Sequence, residues 1–207
     1  MTKILFLTSS PRGAASQSTR IGRQIVDQLV TAHPGAQVLE RDLAASPLPH
    51  LDGNLLAGLF TPPDGLSEAQ KAALLLSDTL VDELLAADIV VICAGMINFG
   101  VTSTLKSWFD HVARAGRTFR YSAEGKPEGL ATGKKVYLVD AHGGIYQGPM
   151  QAMDFQLPYL KHMLGFLGLT DVTVVTVDGQ AMGPEAAAKG AAAAEAQAAA
   201  LFVRQAA

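Results

Sequence analysis

"KILFLTSSPRGAASQSTRIGRQIVDQL", residues 3–29, is the stretch on which the fold turns. Residues 3–8 are a short apolar run of strand length. A loop rich in Ser and Gly follows, carrying one Arg, and a helical pattern begins near Ser16. Ile21, Ile25 and Leu29 then recur at four-residue steps, which puts them on one helix face. A helix starting there leaves backbone N–H groups unpaired in its first turn, and its dipole favours an anion. Ser10, Ser16, Ser18 and Thr19 add hydroxyl donors. Charge-assisted hydrogen bonds contribute about 1.5–3 kcal/mol each. The dipole contributes at most about 2 kcal/mol, so the donors matter more. A phosphate monoester suits this loop; an ordinary N-cap with a flexible loop suits the same spacing. No Gly-Lys-Ser/Thr ending and no G-x-G-x-x-G pattern is present.

The strand-then-helix unit repeats along the chain. Apolar or β-branched runs occur at 36–41, 88–94, 134–140 and 171–177. Between them lie helical patterns: Leu74, Ser77, Leu80, Val81 and Leu84; Leu105, Trp108, Phe109 and Val112; Tyr159, Met163 and Phe166. Ser67 with Gln70 matches a capping box. An Ala-rich segment opening at Pro184 and running to Gln205 reads as a final helix. Such alternation implies a parallel sheet covered on both faces. The expected class is therefore α/β: a flavodoxin-like, doubly wound five-stranded sheet in the order 2-1-3-4-5, one domain spanning 1–207. There is no internal repeat. Three segments exceed a minimal domain of this kind. Residues 43–66 predict a long loop with a short helical piece, 116–133 a hairpin with "EGKPEG" at its tip, and 143–153 a third excursion.

Composition narrows the function. Apolar residues make up 49% of the 207, enough for a full core, and 17% charged residues argue against disorder. A net charge of -3 without a basic block gives nucleic-acid binding little electrostatic support. The single cysteine, Cys93, lies in an apolar run; it excludes an intrachain disulfide and reads as a small buried hydrophobe. No signal-peptide pattern and no bilayer-length apolar stretch is seen. The expectation is a soluble, cytoplasmic protein with no membrane partner.

In open α/β sheets, ligands bind beyond the C-terminal strand ends, at the switch point. Besides the first loop, two others leave strand ends there. In "AGMINFG", 94–100, apolar Met96, Ile97 and Phe99 can press on a flat ring, and Asn98 can donate to and accept from its edge. Asn98 serves equally as a helix cap with Phe99 in the core. In "DAHGGI", 140–145, Gly143 and Gly144 allow close backbone approach, and His142 sits beside them. His33, His50, His111 and His162 are not clustered, HExxH is absent, and no metal site is expected. G-x-S-x-G is absent too.

Together these motifs resemble the FMN-dependent NADH azoreductases, relatives of the flavodoxin-like quinone reductases. "SS" at 9–10 and "SQS" at 16–18 are similar to the family's phosphate-binding segment. "MINF" at 96–99 resembles its Met-Tyr-Asn-Phe segment beside the flavin ring. "FDHVARAGRTFRY" at 109–121, "PEGLATGKK" at 127–135 and "YLKHMLGFLGLTDV" at 159–172 are close to family signatures. "HGG" at 142–144 falls where the family commonly has Ser-Arg-Gly-Gly. The resemblance runs over nearly the whole chain. Four positions depart from it: Gly95 stands for the usual Pro, Ile97 for Tyr, and Ala141-His142 for Ser-Arg.

The resemblance implies FMN held by Ser10, Ser16, Gln17, Ser18, Met96, Ile97, Asn98, Phe99, Ala141, His142, Gly143 and Gly144. It implies NADH or NADPH as donor, quinones and azo compounds as acceptors, a ping-pong hydride transfer, and a homodimer with sites at its interface. His142 is the candidate source of a proton or positive charge, and Phe119 the candidate lining of the acceptor pocket. Within the same class, a quinone-only reductase is an alternative. Outside it stand a flavin-binding electron carrier and a regulatory flavoprotein without NADH turnover.

Overall fold

The computed structural model describes residues 1–203. Its strands are β1 (Lys3–Thr8), β2 (Gln37–Asp42), β3 (Ile89–Gly95), β4 (Phe119–Tyr121), β5 (Pro127–Gly129), β6 (Lys135–Ala141) and β7 (Asp171–Val177). The helices are α1 (Gln17–Ala32), α2 (Gly53–Phe60), α3 (Glu68–Ala86), α4 (Ser103–Val112), α5 (Gln156–Leu167) and α6 (Pro184–Val203). The main sheet runs β2-β1-β3-β6-β7, and each neighbouring pair is parallel. β4 and β5 form a separate antiparallel hairpin. With the hairpin set apart, the order is the 2-1-3-4-5 of the sequence reading.

Side chains alternate across the sheet with period two. Ile4, Phe6, Val91, Cys93 and Val139 face α1 and α6, where Ile21, Ile25, Leu29, Ala194 and Ala198 complete one core. Leu5, Leu7, Val90, Ile92 and Leu138 face the opposite layer, with Leu80, Leu84, Trp108, Phe109 and Leu164. Burial on both faces is why these strands read as continuous apolar runs. Among the described residues, no helix is long and apolar enough to cross a membrane.

Caps set where the helices begin. Ser16 Oγ accepts from Thr19 N–H at 3.4 Å, and Thr102 Oγ1 accepts from Leu105 N–H at 3.3 Å. The capping box is complete: Gln70 N–H donates to Ser67 Oγ, and Ser67 N–H to Gln70 Oε1. Three expectations are refined. In α5 the deepest stripe is Leu160, Leu164 and Leu167; Tyr159, Met163 and Phe166 flank it, because a one-residue shift turns a side chain about 100° around the helix. The 116–133 segment is a hairpin, but Pro127–Gly129 of its expected tip is already strand. The helical piece of 43–66 is α2, and the end of the expected final helix and of the 1–207 domain, residues 204–207, lies outside the described residues.

Candidate functional site

β1, β3 and β6 are adjacent in the sheet, so the loops that leave their C-terminal ends converge. A cleft of about 190 Å³ opens between them. One end is polar, lined by Ser10, Arg12, Ser16, Gln17 and Ser18. The other is apolar and close to backbone, lined by Gly95, Met96, Ile97, Ala141 and Gly143. His142, Gln180 and Ala181 close the remaining side.

The polar end is the start of α1. Ser16 is buried and caps Thr19, and its hydroxyl also lies 3.0 Å from that of Ser18. Helix geometry leaves the Gln17 and Ser18 N–H groups without intrahelical acceptors. Two unspent amides and the paired hydroxyls of Ser16 and Ser18 at a single helix end, with Arg12 in the same lining, are donors of the kind that can hold an anion.

The apolar end rests on a tight turn. Ile97 and Gly100 exchange hydrogen bonds, N to O at 2.9 Å and 3.0 Å, with Asn98 and Phe99 between them. Both central residues have positive φ, 48° and 69°. This is the pattern of a two-residue primed turn, which normally takes Asn-Gly. Asn tolerates it; Phe does not, and such strain costs of order 1–3 kcal/mol. Phe155 N–H donates to Phe99 O at 3.1 Å, and the Phe99 ring meets Tyr146 edge-on at 6.4 Å. The third loop is stitched to the end of β7. His142 N–H donates to Val177 O, Gln180 N–H to His142 O, and Ala181 N–H to Gly143 O.

His142 is 4% exposed and stands between two carboxylates. Nδ1 lies 2.9 Å from Asp178 Oδ1. Nε2 lies 3.1 Å from Asp140 Oδ2, an ion contact without hydrogen-bond alignment. Asp140 is fully buried, and its Oδ1 accepts from Gln156 Nε2 at 2.7 Å. Burial works against the charged imidazole, but Asp140, then Asp178 and Asp154, overcome it and raise the group from 6.5 to about 9. A buried, unpaired Asp140 would be costly, and the imidazolium is its counter-charge. The fold also brings Asp140, His142 and Asp154 within 4.8 Å of one another, a grouping of metal-ligand types not visible in the sequence. Both ring nitrogens already face carboxylates, and Asp154 Oδ1 accepts from the N–H groups of Gln156 and Leu157, so ion pairing accounts for the cluster.

The structure gathers Ser10, Ser16, Gln17, Ser18, Met96, Ile97, Ala141, His142 and Gly143 around one cleft. Asn98 and Phe99 stand at the exposed tip of the turn, outside that lining, and Gly144 lies one residue beyond it. Phe119 is on the hairpin, packed on Phe166 with ring centroids 4.5 Å apart, and does not line the cleft. The sequence reading did not place Pro11, Arg12, Gly95, Gln180 or Ala181 among the binding residues. Arg12 was legible as the one cation of the first loop. Gln180 and Ala181 arrive from the β7–α6 connection and carry no local signal.

A parallel sheet with its cleft at the switch point defines a protein of flavodoxin-like type, and the model of a family described by the flavodoxin-like fold matches residues 2–202. A FMN-dependent NADH:quinone oxidoreductase of Mesorhizobium japonicum is 50% identical over 184 residues, covering 88% of this chain and 87% of the relative. That of Rhizobium johnstonii is 52% identical over 190 residues, covering 91% and 92%. A crystal structure of azoreductase from Bacillus anthracis superposes with a TM-score of 0.89 at 32% identity, covering 97% of this chain and 98% of that one. The chain belongs to the family of FMN-dependent NADH:quinone oxidoreductases and azoreductases.

Proposed function

We propose that this protein is an FMN-dependent NAD(P)H oxidoreductase that reduces quinones and reductively cleaves azo compounds, donor and acceptor taking turns in one cleft. The observation that carries the reading is the two-ended cleft: anion donors at the start of α1, and apolar side chains with glycine backbone at the ends of β3 and β6. That donor set fits a phosphate monoester bearing a flat ring. Ser10, Arg12, Ser16 and the amides of Gln17 and Ser18 would hold the phosphate. Met96, Ile97 and the backbone of Ala141 to Gly144 would border the ring, and a side chain added at Gly95 would meet nothing within 4 Å.

FMN, when bound, supplies reversible hydride acceptance and donation. The protein's own work is to orient, to exclude water and to set local charge. His142 supplies a fixed positive charge rather than a mobile proton, since both nitrogens face carboxylates. Asp140, Asp154 and Asp178 surround that charge and would offset it at the ring edge. Ile97, Phe99, Ile145, Met150, Met153 and Phe155 are exposed on the two loops beside the cleft. This apolar rim supports a homodimer that finishes the site. The lone buried Cys93 suits a reducing cytoplasm, and the two cores share one sheet, as a single domain would.

The test is the visible spectrum of the purified protein with FMN, before and after anaerobic NADH. Bound flavin that bleaches and recovers on adding a quinone supports the reading. Binding without bleaching moves it to a carrier or regulatory flavoprotein. Parallel initial-rate lines with NADH and benzoquinone are expected for alternating half-reactions.

A further inference from the structure

A second cleft, about 510 Å³, adjoins the first. It lies between the ends of β1 and β2 and the start of α4, and shares Ser10, Pro11 and Ile97 with the flavin cleft. Its lining is rich in hydroxyls, from Ser9, Ser10, Thr102, Ser103 and Thr104, and contains a single charged side chain, Asp42. Asp42 Oδ1 accepts from the N–H groups of Ala44 and Ala45 at 2.9 Å and 3.0 Å, which fixes the carboxylate at the turn after β2. Those bonds leave Oδ2 for another donor.

A carboxylate amid hydroxyls, without a cation, suits a vicinal diol and opposes a phosphate. Phosphate monoesters carry about −1.5 to −2 charge at neutral pH. The start of α4 offers only about half a positive charge, and Thr102 Oγ1 already occupies its Leu105 N–H. The full charge of Asp42 therefore prevails. We infer that this second cleft receives the adenosine ribose of the dinucleotide donor, with Asp42 accepting from its hydroxyls and turning away a 2′-phosphate, so that Asp42 is the residue that sets a preference for NADH over NADPH. This rests on the oxidoreductase reading above.

The test compares kcat/KM for NADH and NADPH in the FMN-saturated wild type and in Asp42→Asn, which keeps the acceptor for the turn and removes the charge. Wild type should favour NADH by at least about tenfold. Asp42→Asn should lose most of that preference, while Asp42→Glu should keep it. Adenosine 2′,5′-bisphosphate should compete with NADH more weakly than 5′-AMP in wild type, and equally in Asp42→Asn. FMN retained by every variant, read by its spectrum, separates this from collapse of the site. Equal or better use of NADPH by wild type overturns the inference, as does an unchanged ratio in Asp42→Asn with FMN bound. If neither dinucleotide bleaches the wild-type flavin, the underlying reading fails and the inference with it.

Discussion

His142 Nδ1 lies 2.9 Å from Asp178 Oδ1, joining residues 36 apart in the chain. With Asp140 on the other ring nitrogen, the imidazole is a buried cation that ties the end of β6 to the end of β7. Where most of the family places an always-charged Arg, this protein places a group that titrates.

Stability should therefore fall with alkali. The group is raised in the folded state from 6.5 to about 9. Its contribution is complete below pH 6.5 and is lost as pH rises through 9, on the order of 3 kcal/mol at most. Melting curves from pH 6 to 10 should show this decline in wild type and a flatter profile in His142→Gln, which begins less stable. Parallel profiles would remove the ion cluster from the account.

His142→Arg tests the charge argument directly. At pH 7 the wild-type ring is already cationic, so the midpoint potential of bound FMN should barely change. Above pH 9 the wild-type potential should fall more steeply with pH than the variant's, beyond the slope that proton uptake by the flavin gives both. A large difference at pH 7 would mean that His142 is neutral there.

Ser16 has two tasks that can be separated. Ser16→Ala removes the cap and should cost about 1 kcal/mol of stability. It should also weaken FMN binding through the lost hydroxyl. Ser16→Asp restores a good cap, yet places a carboxylate where the proposed phosphate would sit. Its melting temperature should match wild type while FMN affinity collapses. FMN binding retained in Ser16→Asp would place the phosphate elsewhere.

Gly22 shows how closely α1 lies on the sheet. Gly→Ala inside a helix usually stabilises by about 1 kcal/mol. Here the added Cβ would fall 2.1 Å from Cys93 Sγ and 3.0 Å from Phe6 Cε2. Overpacking of this kind costs about 1–3 kcal/mol or more, so the clash prevails and Gly22→Ala should melt lower. Adding Cys93→Ala should recover part of the loss, a coupling that chemical denaturation would measure.

Phe99→Gly should relieve the positive φ of 69°. The folded protein without FMN should gain about 1 kcal/mol, while FMN binding weakens as the turn loosens. A melting temperature several degrees below wild type would show that the turn stores no strain.

Much of this was legible in the residues themselves. The run at 3–8, the caps at Ser16 and Ser67, and the spacing of Ile21, Ile25 and Leu29 obey local rules, because hydrogen-bond periodicity and capping involve neighbours in the chain; the cap of α4, read as Asn98, is Thr102. The parallel sheet followed from the alternation of those units. The Ser-rich loop was legible as a group of donors because they lie within one short stretch.

What lay beyond local rules was decided by the sheet. Whether Tyr159 or Leu160 faces the core depends on how α5 is rotated against its neighbours. Phe119 meets Phe166 only because the hairpin packs on α5, a contact no local pattern announces. Asp140 and His142 looked like one loop motif, but Asp178 and Gln156, which define their charge and orientation, come from β7's end and α5. Asp42 shares a cleft with Thr102 only because β2 and β3 flank β1. Local sequence determined the elements and gathered the hydroxyls of the first loop; tertiary structure alone decided which charges meet, since electrostatic and packing partners are set by distance in space and not along the chain.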